Sequence, residues 1–208
     1  MSKRFVNDEA KRAFKGAIES IEACSSAEVV ITVRHHSGSY LHADLIVGAI
    51  AAVGTLAFTL YSSFEFSLLS ILIDPLIVGI AFGCLSTQLP MVRRWITPAK
   101  ARRRRVIQAA HATFYEKGIR LTKERIGILV YMSLLERAVE VVCDTGVHAA
   151  VPATEWNLAT ALIEAKLRNT MDAQAVAKKI EDLKIICESV LERSEDDVNE
   201  LADEVCAP

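Results

Sequence analysis

IGILVYMS at 126–133, LLER at 134–137 and AVEVVC at 138–143 form the densest β-branched and apolar run outside the two longest apolar stretches of this 208-residue chain. Two strand-like runs of six to eight residues separated by four read as a β-hairpin. Glu136-Arg137 is read as its solvated turn. Gly146 is read as closing the second strand, with Asp144 a turn residue just before it, because short polar side chains stabilise turns locally.

Moving outward, Arg102–Lys117 predicts a helix with Val106, Ile107, Ala110 and Phe114 facing inward, ending at Gly118. Thr154–Arg168 predicts another, with Thr154 as N-cap and Glu155 in the first turn. Ala173–Arg193 predicts a last helix whose stripe of Val176, Ile180, Leu183, Cys187 and Val190 reads as a core-packing face rather than a coiled-coil seam. On the other side, residues 7–24 predict an amphipathic helix capped by Asn7 or Asp8, with Ala10, Phe14, Ala17, Ile18 and Ile21 on one face. Ala27–Val33 reads as a buried strand. The expected fold class is α/β: a small sheet covered by helices in an α/β/α arrangement, interrupted by a two-helix transmembrane hairpin.

That hairpin comes from two long apolar stretches. No charged residue occurs between Leu45 and Phe64, and only Asp74 between Phe66 and Val92. The first span is expected over Leu45–Tyr61. For the second there are two readings: a continuous helix over Phe66–Val92 that buries Asp74, or a span over Pro75–Val92 with Asp74 as N-cap and Pro75 as first helical residue. The second is favoured, with Ser62–Ile73 as a connection in the interface. The expected organisation is residues 1–41 as the first part of the domain, 42–92 as the hairpin, 93–193 as the remainder and 194–208 as an acidic, disordered tail.

The net charge of −2 conceals segregation. Seven basic side chains and no acidic one lie between Arg93 and Arg105, whereas Glu188–Glu204 carries eight acidic ones against Arg193. A basic collar that includes Arg102, Arg103, Arg104 and Arg105, beside an apolar span, reads as an orientation signal and a contact for anionic lipid head groups. That accounts for the charge without nucleic acid, which is not expected as a partner. Trp95 reads as an interfacial anchor, with core packing as the alternative. By the positive-inside bias, the chain is expected in the inner (cytoplasmic) membrane with its soluble domain on the cytoplasmic side. No cleaved leader is expected, since the first apolar run begins some forty residues in. Five cysteines without metal-type spacing read as small core hydrophobes.

The run Arg125–Val142, followed by Asp144-Thr145-Gly146-Val147, resembles the hairpin of the TPM-domain family, in which a "G-I-L-apolar-apolar-S" strand precedes "R-x-V-E-apolar" and a glycine-bearing turn. Ala27–Val33 resembles that family's first strand, and the likeness spans roughly residues 5–36 and 102–193. The resemblance implies a compact α/β/α domain, often membrane-tethered, with acid phosphatase activity, photosystem repair or calcium binding in some relatives. This chain departs from the pattern by its inserted hairpin and by a thin set of loop carboxylates.

No phosphate loop, serine elbow, zinc motif or paired-carboxylate motif is present. Asp144 is the weak catalytic candidate, with His148 a lone loop histidine beside it. Asp144, Glu155, His35 and His36 are weak metal candidates, the two histidines together with His42 and Asp44; adjacent histidines at a strand end point to opposite faces, which opposes a shared ion. No cofactor is expected, calcium being implied only by the resemblance. Gly48 and Ala52 in the first span and Gly79 and Gly83 in the second supply small faces for helix packing, either within one hairpin or in a homodimer. The reading that follows is a non-catalytic, membrane-tethered interaction or assembly factor with an unidentified membrane protein partner; the alternative is a membrane-bound, divalent-metal-dependent phosphatase.

Overall fold

The computed structural model describes Phe5, residues 7–189 and Leu191. The expected acidic tail, Val190 and Arg193 lie outside the described residues. The chain divides into two compact units, one formed by residues 1–37 and 103–208 and the other by residues 38–102.

The first unit is a mixed α/β domain with a small sheet and mostly helices. Helix α1 (Asp8–Glu22) starts at Asn7, whose Oδ1 accepts from Ala10 N at 2.7 Å, and buries Ala10, Phe14, Ala17, Ile18 and Ile21. Strand β1 (Glu28–Arg34) lies parallel to β2 (Gly127–Ser133), and β2 lies antiparallel to β3 (Ala138–Cys143), in the order β1-β2-β3. Val29 opposes Ile128 and Ile31 opposes Val130; Ile128 opposes Cys143 and Val130 opposes Val141. A parallel pair cannot be joined by a tight turn, so the chain between β1 and β2 must be a long crossover. It is there that the whole second unit is inserted.

Side chains alternate across the strands, which gives the sheet two buried faces. Val29, Ile31, Val33, Ile128, Val130, Met132 and Val139 face a core shared with α1, with α7 (Ala153–Thr170), α8 (Ala173–Glu181) and α9 (Leu183–Glu188). Val30, Leu129, Tyr131 and Val142 face Val106, Ala110 and Phe114 of α5 (Ala99–Glu116). Each fully buried aliphatic chain contributes about 1.5–3 kcal/mol, as an upper estimate. Helix α5 ends at Gly118, whose φ of 66° is the left-handed conformation that a helix C-terminus favours.

Several expectations change in detail. Gly146 does not close a strand: Asp144 caps a short helix, α6 (Thr145–Ala150), and Gly146 lies inside it. A Cβ at Gly146 would stand 2.5 Å from Glu124 O and 2.7 Å from Arg125 O, so only glycine fits this approach. Thr154 is not an N-cap, because Pro152 holds that position and α7 begins at Ala153. The last expected helix breaks at Asp182, where an Ile185 N to Asp182 O bond of 3.2 Å replaces the i→i+4 pattern with a tighter turn. The stripe Val176, Ile180, Leu183 and Cys187 is nonetheless buried. Glu136 is no solvated turn residue; it is 4 % exposed.

The second unit contains α2 (Leu41–Tyr61), α3 (Leu68–Ser86) and α4 (Pro90–Ile96). Helices α2 and α3 are long and apolar enough to cross a membrane. Neither reading of the second span is correct as drawn. Asp74 is not an N-cap and Pro75 is not the first helical residue, since both lie inside α3. Ser67 caps that helix by accepting from Ser70 N at 3.1 Å. The apolar run from Leu68 can satisfy its own peptide groups only as helix, and this outweighs the one bond lost at Pro75.

Candidate functional site

At the foot of the α2–α3 hairpin, three elements converge on one carboxylate. Asp44, in the first turn of α2, accepts from Arg93 Nε (Oδ1, 3.0 Å), Arg93 Nη2 (Oδ2, 2.7 Å) and Ser86 Oγ (Oδ1, 2.6 Å). Arg93 comes from α4 and Ser86 from the last turn of α3. The side chains of Asp44 and Arg93 are 9 % and 18 % exposed. A two-point, charge-assisted pair of this kind fixes geometry as well as contributing energy. Nearby on the chain, His42 Nε2 hydrogen-bonds Thr97 Oγ1 at 3.1 Å.

Above this clasp the two arms touch backbone to backbone. A Cβ at Gly48 would meet Gly79 O at 2.7 Å, one at Gly79 would meet Gly48 O at 2.9 Å and Ala52 Cβ at 3.0 Å, and one at Gly83 would meet Asp44 O at 3.3 Å. Gly48, Ala52, Gly79 and Gly83 therefore pack against one another within a single hairpin. Gly54 has nothing within 4 Å of its would-be Cβ.

In the first unit, polar groups gather at the carboxyl ends of the parallel strands, where open α/β sheets usually place ligands. Glu136 Oε1 accepts from Ser37 N at 3.0 Å, its Oε2 accepts from Ser133 Oγ, and Ser37 Oγ hydrogen-bonds Tyr131 OH at 3.2 Å. Burial pushes the Tyr131 phenol above its ordinary pKa. The serine–carboxylate pair resembles a nucleophile with its base, but Ser133 is wholly buried. The arrangement holds the strand ends together.

A second network ties α5 to the sheet and to α7. Arg103 Nη1 donates to Val139 O (2.6 Å) and Glu164 Oε2 (2.9 Å), and its Nη2 donates to Glu140 Oε2 (2.6 Å). Glu164 Oε2 also accepts from Val139 N at 3.1 Å, and its Oε1 pairs with Arg168 at 2.5 Å. Burial pushes the Glu140 carboxyl up, and this exceeds the opposing pull of Arg103.

The catalytic and metal candidates do not assemble. Asp144 Oδ1 accepts from Thr145 N at 2.7 Å, and its buried Oδ2 faces Arg125 at 3.8 Å without a hydrogen bond. Glu155, His35 and His36 are exposed, and among the described residues no three His, Cys, Asp or Glu side chains are grouped to hold a metal. This donor set does not fit calcium, which takes six to eight oxygen ligands. The basic collar divides. Arg102 donates to Arg94 O and Arg103 is committed to Glu140 and Glu164, while Arg105 is half-buried. Lys100 and Arg104 are exposed, and so is Trp95, at 89 %. The residues missed from sequence are Ser86, Arg93, Glu136 and Glu164.

No family model matches the chain, and no curated protein matches it in sequence. Among solved structures, the fold is similar to that of the BA42 protein from the psychrophilic bacterium Bizionia argentinensis, with a TM-score of 0.60 and 14% identity over 99% of this chain and 97% of that one. At that identity the likeness is one of fold alone.

Proposed function

We propose that this chain is a membrane-anchored, TPM-like domain protein that acts without catalysis, as an interaction or assembly and maintenance factor for membrane complexes. The observation that carries the anchoring is the exposure of the hairpin's apolar side chains. In the most apolar window of α2 only 22% is buried, and in that of α3 only 11%, whereas the core helix of a soluble protein is mostly buried. At 21 and 19 residues, the two helices are about 31 and 28 Å long, close to the ~30 Å hydrocarbon core of a bilayer. Their lipid-facing surface would include Ile50, Val53, Leu72 and Ile80, each about two-thirds exposed.

The TPM assignment draws on the hairpin residues 125–147, which resemble that family's hairpin; the likeness to BA42 supports the mixed α/β fold alone. The non-catalytic reading draws on Asp144 acting as a helix cap and on the finding that, among the described residues, no three His, Cys, Asp or Glu side chains group to hold a metal. A tether raises the domain's effective concentration beside membrane partners, so modest intrinsic affinity suffices. Lys100 and Arg104, being exposed, are the collar residues free to meet anionic head groups, with Trp95 at head-group depth. The loop between α2 and α3 carries no lysine or arginine, which favours placing it outside and both soluble segments in the cytoplasm.

Two experiments test this. Impermeant maleimide added to intact cells should label Ser63→Cys above the parent level and leave Lys3→Cys and Glu200→Cys at that level; labelling at position 200 would overturn the topology. A generic phosphomonoester, assayed with and without calcium, should not be turned over. Turnover abolished by Asp144→Asn would establish the phosphatase instead.

A further inference from the structure

Helix α3 carries a single acidic side chain and no basic one: Asp74, the seventh of its 19 residues. At 1.5 Å per residue, Asp74 lies about 4–5 Å from the helix midpoint. With α3 centred in a ~30 Å hydrocarbon core, about 10 Å of hydrocarbon separates it from the nearer surface, too far for so short a side chain to reach. It is half-buried beside Ile73, Leu76 and Ile77, all exposed on the outside of the hairpin. The hairpin gives it no partner. Asp74 makes no hydrogen bond or ion pair with any described residue. Thr55 and Thr59 of α2 spend their hydroxyls on their own helix, donating to Ala51 O and Leu56 O at 2.9 Å each. Pro75 has no N–H to give Ile71 C=O, so a second acceptor within the same turn lacks its usual donor.

Acidic groups at this depth are costly, and membrane proteins pair them with bases across helices. A second copy of this chain cannot supply the base, because residues 45–86 contain no lysine, arginine or histidine. We propose that Asp74 is the attachment point for a transmembrane helix of a different protein, one that carries a lysine or arginine near mid-bilayer. Lysine brings three N–H donors and arginine five, enough to meet both Asp74 oxygens and the Ile71 carbonyl. Ile77, three residues on, supplies apolar contact for the incoming helix on the same side. Where no water competes, one charge pair selects a helix that bears a base from the many that lack one. This inference names the partner chemistry of the anchored interaction factor and rests on that reading.

The test uses the full chain in phosphatidylcholine vesicles, whose neutral surface leaves the basic collar without a role. The probe is a synthetic leucine–alanine transmembrane peptide with one central lysine, and its control has leucine at that position. Energy transfer from a dye on Ser63→Cys to a dye on the peptide reads association within the bilayer. The lysine peptide should associate with the parent roughly tenfold more tightly than with Asp74→Asn, which keeps the shape and polarity but removes the charge. The leucine peptide should treat parent and variant alike. Asp74 holds nothing in the hairpin, so the variant should insert as the parent does; retention in vesicles after alkaline carbonate checks both. Equal association of the lysine peptide with inserted parent and inserted Asp74→Asn would overturn this inference alone, as would transfer between two copies of the chain that depends on Asp74 and ignores the peptide. Extraction of the parent by carbonate would instead refute the anchoring, and this inference with it.

Discussion

Replacing Glu164 by alanine removes three interactions at once, and the structure says how unequal they are. The Arg168 contact is worth little, since Arg168 is 57% exposed and adjacent on the same helix. Arg103 is not stranded, because Glu140 and Val139 O remain to it, so that loss is at most about 1 kcal/mol at its 39% exposure. The Val139 N–H, in contrast, has its bond to Glu164 and loses it, at about 1–3 kcal/mol. The sum is a destabilisation of about 1–4 kcal/mol for Glu164→Ala. Glu164→Gln, which keeps an acceptor oxygen, should cost about 1 kcal/mol. Glu140→Gln should cost less than either, because burial already disfavours the ionised form. Urea unfolding of the full chain in detergent micelles, followed by Trp156 emission, gives the ordering. If Glu140→Gln proves as costly as Glu164→Ala, or Glu164→Ala falls within 0.5 kcal/mol of the parent (about the scatter of surface substitutions), the accounting is wrong.

Other outcomes follow from the same geometry. Glu140 holds its proton to higher pH when folded than when unfolded, so its contribution to stability is full below the ordinary carboxylate pKa and is lost as pH rises through the raised value; the stability difference between parent and Glu140→Gln, measured across pH 4–7, should shift in favour of the variant as pH rises. Asp44→Leu strands Arg93, which keeps partial access to solvent, and should cost about 1–3 kcal/mol, while Asp44→Leu with Arg93→Leu should cost less than Asp44→Leu alone; a double-mutant cycle in micelles decides. Gly79→Leu with Gly83→Leu must push α2 and α3 apart, seen as faster protease cleavage of the hairpin in micelles; if the parent is also dimeric by analytical ultracentrifugation and the variant is a folded monomer, the glycine seam is an intermolecular contact instead. Burial pushes the Cys187 thiol up to about 12 and Cys143 higher still, so at pH 8 alkylation of both should require unfolding, and mass spectrometry of the alkylated peptides with and without urea reads this.

The sheet was legible because Ile126–Ser133 and Ala138–Cys143 concentrate β-branched residues that few other structures accommodate, and α1 because five apolar positions fall on one helical face. What stayed hidden depends on partners far away in sequence. Glu136 sits in a tetrapeptide that reads as an exposed turn; Ser37, 99 residues earlier, joins Ser133 in supplying the donors that make its burial tolerable. Arg93 looked like one of seven equivalent collar cations until Asp44, 49 residues away, claimed it. One signal could have found that pair: a lone acid in the first turn of one apolar helix and a base just beyond the end of the next must meet at the same end of an antiparallel hairpin. The start of α3 was misplaced because Asp-Pro is a strong local helix-start signal, and the quieter Ser67 cap was outweighed.

A three-stranded sheet has two open margins, and each offers peptide groups to any extended chain that drifts alongside. Here a carboxylate stands at both. Glu22 Oε1 takes the Val29 N–H at 3.1 Å on the β1 margin, and on the β3 margin Glu164 and Arg103 take the N–H and C=O of Val139, as a neighbouring strand would. A partner that tried to join by strand addition would have to expel a side-chain carboxylate at either margin before its first rung could form. Strand addition is opposed at both margins, and the first sign of a lost Glu164 would be chains that zip together edge to edge.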